Sequence, residues 1–150
     1  MRLSNLADYA VVIMSAAARH CGGTRVWAGG LAAETGLPAP TVKKVVSKLT
    51  AAGLLRGVRG AGGGLQLARP AAAITLADIV EAVEGPIVLT PCADGGMCGF
   101  DHSCAVRPHW PIVNTALREA LAGITLARLA RAPGQDGQPG PQQTATMETA

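Results

Sequence analysis

The sequence predicts a mainly α-helical protein: a winged helix–turn–helix with a two-stranded wing, followed by a long C-terminal helix. Three observations predict it. Apolar residues recur at spacings of three and four in several separate segments. Two short strand-like runs flank a glycine-dense turn immediately after one of those segments. Positive charge is concentrated in the first half of the chain.

At 150 residues the chain is about one domain long. Hydrophobic residues make up 49% of it, yet Phe, Trp and Tyr together number four, so alanine, leucine and valine supply the apolar surface. Small and straight-chain side chains favour closely packed helices.

The first helix is expected from Leu3 to about Arg19, with Ser4 or Asn5 as N-cap, and Leu3, Leu6, Ala10, Ile13, Met14 and Ala17 at helical spacing. Cys21-Gly22-Gly23 ends it, and Cys21 reads as a small buried residue. A short helix over Ala28–Thr35 turns Leu31 and Ala32 inward and stops at Gly36, a residue that enters the left-handed region without steric cost. A second runs from about Ala39 to Ala52, with Val42, Val45, Val46 and Leu49 as its apolar stripe and Gly53 as its end.

The opposite face of that helix carries Thr41, Lys43, Lys44, Ser47 and Lys48. Hydroxyls and amines there suit base edges and phosphates in a major groove, with the valines as anchor. The strand-like runs Leu54–Arg59 and Leu65–Arg69 then enclose Gly60-Ala61-Gly62-Gly63-Gly64. A hairpin in this position is a wing, from which Arg56, Arg59 and Arg69 would reach the DNA backbone or minor groove. A nucleotide-phosphate loop is excluded because no Gly-Lys-Ser/Thr ending and no following helix are present.

The charge distribution agrees. Residues 1–70 hold nine Lys/Arg against two acids, or +7, while residues 71–150 hold four against eight, or −4. A basic half beside an acidic half points to a polyanionic partner for the first. No run reaches the roughly 18 apolar residues of a membrane span. The apolar stretch Ala10–Ala18 is amphipathic in pattern, which argues against a signal peptide. The expected location is the cytoplasm, where clustered cysteines bind metal more often than they pair.

After Pro70, Thr75-x-x-Asp78 has the form of a capping box and opens a helix that packs through Ile74, Leu76, Ile79, Val80 and Val83 and ends at Gly85-Pro86. A cysteine-bearing loop follows to Arg107. Proline is tolerated in a first helical turn but costs about 3 kcal/mol further in. The next helix is therefore expected to begin near Pro108 or Pro111 and to reach Gly123, with Thr125 capping a last turn through Leu129. Its stripes, Trp110/Val113/Leu117/Leu121 and Ile112/Ala116/Ala120, offer more apolar surface than one neighbour needs, which suggests a paired helix from a second copy. Beyond Ala132 the composition is that of a disordered tail. The organisation is thus 1–86 winged helix, 87–107 cysteine loop, 108–131 dimerisation helix and 132–150 tail.

Three of the four cysteines fall in one loop as Cys92-x5-Cys98-x5-Cys104, with Asp94, Asp101, His102 and His109 nearby. Thiolates are soft anionic ligands for iron–sulfur clusters and zinc, and Gly95, Gly96 and Gly99 allow convergence. Zinc ligands typically come in pairs about two to four residues apart, which favours a cluster here. A zinc site or a thiol redox switch is the alternative. Three thiolates leave one position to a weaker donor, a property that suits a sensor better than a structural staple. No oxyanion hole or orienting third group accompanies a cysteine–histidine pair, so an enzyme is not expected.

In this order the parts resemble the iron–sulfur winged-helix regulators represented by IscR, NsrR and RirA, most nearly those that govern SUF assembly operons. The resemblance rests on Met1–Ser4 through Asp8-Tyr9-Ala10-Val11, Arg59-Gly60 with Gly62-Gly63-Gly64 and Leu67, Ile74–Ile87, the three cysteines, and Cys104–Trp110. It covers about residues 1–130. It implies a homodimer on a palindromic double-stranded operator and a repressor of iron–sulfur assembly genes. It further implies one cluster per chain, [2Fe-2S] in preference to [4Fe-4S], on Cys92, Cys98 and Cys104. The family's histidine three residues after the third cysteine is replaced here by Arg107, which cannot ligate. Other members use an acidic residue early in the partner's first helix, which makes Asp8 the first candidate, ahead of His109 and His102. DNA contact is assigned to Thr41, Lys43, Lys44, Ser47, Arg56 and Arg59.

Overall fold

The computed structural model describes residues 2–20, 25–100 and 103–131. Cys21, Asp101, His102 and the segment 132–150 therefore lie outside the described residues.

Helix α1 (Asn5–Arg19) starts where the Ser4 hydroxyl accepts hydrogen bonds from the Leu6 and Ala7 amides at 3.1 and 3.2 Å. Such a cap satisfies donors that the first turn leaves unbonded. Ser4 also donates to Glu84, fastening this end to the far end of a later helix. Ala7, Ala10, Ile13, Met14 and Ala17 form the buried stripe, and Leu3 stays exposed ahead of the helix.

Helix α2 (Ala28–Thr35) buries Leu31 and stops at Gly36, whose φ of 72° is left-handed. Helix α3 (Ala39–Ala51) carries Pro40 in its first turn and buries Val42, Val45, Val46 and Leu49. Complete burial of a Val or Leu side chain contributes roughly 1.5–3 kcal/mol. This stripe therefore fixes which face of α3 points outward.

The wing consists of antiparallel strands β1 (Leu55–Val58) and β2 (Gly64–Leu67), paired from Leu55↔Leu67 to Val58↔Gly64. Val26, just before α2, pairs with Leu65 across the other edge of β2. Two glycines are required here by close approach. A Cβ on Gly63 would lie 2.6 Å from the Val58 carbonyl, and one on Gly64 would lie 2.6 Å from that of Val26.

Helix α4 (Leu76–Glu84) has both halves of its capping box: the Thr75 hydroxyl accepts from the Asp78 amide, and the Asp78 carboxylate accepts from the Thr75 amide. Its face of Ala77, Ile79, Val80 and Val83 is buried, with Ile74 just ahead of it. Helix α5 (Trp110–Ala122) has Pro111 in its first turn, as proline geometry demands. At 13 residues it is shorter than the 15-residue α1, and none of its residues is buried.

The chain then turns back. Thr125 bridges to Thr75, its hydroxyl accepts from the Arg128 amide, and helix α6 (Leu126–Leu129) drives Leu126 into the winged-helix core at 0% exposure. The core thus draws on α1, α2, α3, the wing, α4 and α6. Among the described residues no helix is long and apolar enough to cross a membrane.

Candidate functional site

Because the valine stripe of α3 is buried, Lys43, Lys44 and Ser47 are left exposed and Thr41 half-exposed. Lys48 behaves differently. Its ammonium donates to the Val83 carbonyl at 2.9 Å, in the last turn of α4, where orphan carbonyls favour a cation. It links the outer helix to α4.

On the wing, Arg59 is exposed at the end of β1 and has no side-chain partner among the described residues. Arg56 stands opposite Gln66 and donates to its side-chain carbonyl in the amide orientation that satisfies both groups. Arg69, expected to point outward with them, is turned back instead. Its guanidinium reaches the Ala73 carbonyl at 3.4 Å and the Asp78 carboxylate at 3.7 Å, near the start of α4. Arg25 donates to the Gly62 carbonyl at 2.7 Å and so clasps the wing tip.

The cysteine loop is anchored by polar groups. One Asn114 side chain on α5 accepts from the Leu89 amide and donates to the Ile87 carbonyl, each at 2.9 Å. Glu81 of α4 receives Arg118 through both carboxylate oxygens, at 2.9 and 3.0 Å, and also the Ile87 amide. The Arg118 guanidinium holds the Glu81 carboxyl below its ordinary value; partial burial opposes the shift and the Ile87 amide adds to it. Cys92 sits in a 3₁₀ turn, Pro91–Asp94, with the Thr90 hydroxyl 3.3 Å from its sulfur. Gly95 leaves that turn at φ 73°, and a Cβ on Gly96 would meet the Pro91 carbonyl at 2.6 Å.

Cys92, Cys98 and Cys104 are all half-buried thiols. Asp8 is exposed on α1 with no side-chain partner among the described residues, and His109 is exposed just before α5. Among the described residues, no three His, Cys, Asp or Glu side chains stand close enough to share a metal ion. In chemistry the donor set fits an iron–sulfur group, since it offers soft thiolates with one position left over. In position it is not assembled among the described residues. The loop anchors Asn114, Glu81 and Arg118, the α4 link of Lys48 and the clasp of Arg25 were not anticipated from sequence. Apart from the contact of Glu81 with the Ile87 amide, six positions away, each joins residues 25 or more positions apart, which local spacing does not encode.

Residues 3–132 match the Rrf2 family, described as an iron-dependent transcriptional regulator. The chain belongs to the Rrf2 family. It is 30% identical over 129 residues to the HTH-type transcriptional regulator IscR of Vibrio cholerae, covering 86% of this chain and 75% of that one. Among solved structures it superposes on CymR, the global cysteine regulator of B. subtilis, with a TM-score of 0.71 and 31% identity, covering 87% and 96% of the two chains. It also superposes on T. potens IscR with a TM-score of 0.70 and 31% identity, covering 92% and 93%. The winged-helix fold class is borne out by these relatives, and the protein is a transcriptional regulator rather than an enzyme.

Proposed function

We propose that this Rrf2 chain is a cytoplasmic, homodimeric repressor of iron–sulfur assembly genes, of the SUF-regulator type, that reads cluster status on a palindromic operator. The observation that carries the reading is a loop with three half-buried thiols, pinned by Asn114 and Glu81 to helices that lead to the outer face of α3. Cys92, Cys98 and Cys104 would hold the group, with Asp8 of the partner subunit as fourth ligand, ahead of His109 and His102. A [2Fe-2S] cluster is favoured over [4Fe-4S]. Bound there, it supplies a redox- and iron-sensitive tie among three points of the loop.

The chain's own residues do the rest. Asn114 and Arg118 transmit the loop's position to α5 and Glu81, and Lys48 joins the end of α4 to α3. Thr41, Lys43, Lys44 and Ser47 face the major groove, while Arg56 and Arg59 extend along the backbone and minor groove. The exposed Ile112 and Val113 on α5 meet the same face of a second copy.

The test is anaerobic purification with visible absorbance and iron, sulfide and zinc analysis of wild type beside Cys98→Ala. Brown protein with matched iron and sulfide, bleached by the substitution, supports the reading. Colourless protein carrying zinc, or no metal after attempted reconstitution, overturns it. The likeness to a cysteine regulator favours one second reading, a thiol switch without iron. Reversible oxidation of the three thiols that alters DNA affinity in metal-free protein would establish that instead.

A further inference from the structure

Trp27 is a large aromatic side chain left 64% exposed immediately before α2. Isolated apolar side chains on a surface are ordinary, but this one is placed with unusual rigidity. Val26 beside it is buried and exchanges two backbone hydrogen bonds with Leu65 of the wing. On its other side lie Gly29 and Gly30, where an added Cβ would approach the indole ring to 3.2 and 3.3 Å. Two consecutive residues without side chains thus form a flat bed for the ring. The indole N–H has no acceptor among the described residues, and indole can only donate.

Its surroundings are basic and belong to the wing. The antiparallel pairing of Val26 with Leu65 brings the start of α2 alongside the glycine-rich end of the hairpin. Arg25, two residues earlier, clasps the Gly62 carbonyl at the wing tip. The residues just before α2, Trp27 and the wing are therefore one rigid piece. The wing's Arg59 and the exposed Lys43 and Lys44 of α3 give the same unit its positive charge.

We propose that Trp27 is a DNA-contacting residue of this regulator, its indole N–H donating to a backbone phosphate beside the wing while Arg25 holds the two in register. The inference rests on the winged-helix reading above. Charge complementarity selects the occupant, because a rigid donor on a unit that carries the exposed Arg25, Lys43, Lys44 and Arg59 suits a polyanion better than an apolar protein face.

A Trp110→Phe background leaves Trp27 as the single tryptophan for fluorescence. The probe is a mixed-sequence DNA duplex at low salt, which needs no knowledge of the operator. Duplex should shield Trp27 from acrylamide. In the full chain, Trp27→Ala and Trp27→Phe should each weaken duplex binding by roughly ten- to a hundredfold, the range for one hydrogen bond to a charged acceptor. The slope of affinity against salt should stay unchanged, whereas Arg59→Ala should lower it by about one. Unchanged melting temperature in the Trp27 variants separates contact from folding. Trp27 left fully quenchable, or Trp27→Phe binding like wild type, overturns the proposal while a normal Arg59→Ala effect keeps the wing reading intact. Loss of effect at both Arg59 and Trp27 overturns the two together. Shielding that rises with protein concentration in the absence of DNA assigns the ring to a second copy and overturns it as well.

Discussion

Residues 2–84 and residues 85–131 are organised by different forces. In the first part α1, α3 and α4 each bury a stripe and α2 buries Leu31, the caps of α1 and α4 are made by side chains, and all the buried core residues but Leu126 lie there. In the second part α5 buries no residue, and Ile112 at 68% exposure stands beside an exposed Val113. What fixes α5 and the cysteine loop is directed and polar: Asn114 on Ile87 and Leu89, and Arg118 on Glu81. Alone among the described residues of that stretch, Leu126 returns to the common core. A segment held by a few hydrogen bonds is cheap to move, since each is worth only about 1 kcal/mol net. A segment held by a closed core is not. That contrast suits the regulator proposed above, in which one part would recognise and the other respond.

The sharpest way to break the comparison is to attack the open face of α5. Replacing Ile112 and Val113 together with Glu should leave the helical circular dichroism signal intact and convert a dimer to a monomer in sedimentation. Two carboxylates forced into an apolar interface oppose association strongly. A wild-type chain that sediments as a monomer at micromolar concentration would sink the proposed use of this face.

Next in size is the closed core. Leu49→Ala, at a fully buried position on α3, should cost about 2–5 kcal/mol in urea unfolding. Ile112→Ala, measured where the chain is monomeric, should stay within about 0.5 kcal/mol of wild type. Equal losses at the two positions would mean that α5 belongs to the core after all.

The same division governs how much was legible in the sequence. Signals carried by neighbouring residues were readable: the Ser4 cap, the Thr75–Asp78 box, the stops at Gly36 and Gly53, and the proline-limited start of α5. Each is a local steric or hydrogen-bonding rule, and the valine stripe of α3 is a matter of period. Lys48 and Arg69 were read as facing outward because a basic side chain on an open face has water as its default partner. The structure gives them carbonyl or carboxylate partners on or near α4, from 4 to 35 positions away. Asn114 was missed for the same reason, as its partners lie 25 and 27 positions away. For the cysteines, spacing proposes ligands in kind, but spacing within one chain holds no information about a residue that a second copy would supply.

The smallest expected effect concerns the joint between the two regions. Arg118 lowers the pKa of the Glu81 carboxyl below its ordinary value of 4.5, so the folded state favours the charged form. The unfolded chain then binds a proton at a higher pH than the folded one. Stability from this pair is therefore fully present above about 4.5 and is lost as the pH falls through the lowered folded value. Both groups are partly exposed, with side-chain exposures of 50% for Arg118 and 23% for Glu81, so solvent and salt screen the pair. Glu81→Gln should consequently be slightly less stable than wild type at neutral pH, and the two urea-unfolding curves should converge in acid. High salt at neutral pH should narrow the gap as well. A gap that persists unchanged in acid would show that Glu81 acts through the Ile87 amide alone, which Gln can still accept only in one amide orientation. In that case the loop would be anchored to α4 without help from α5.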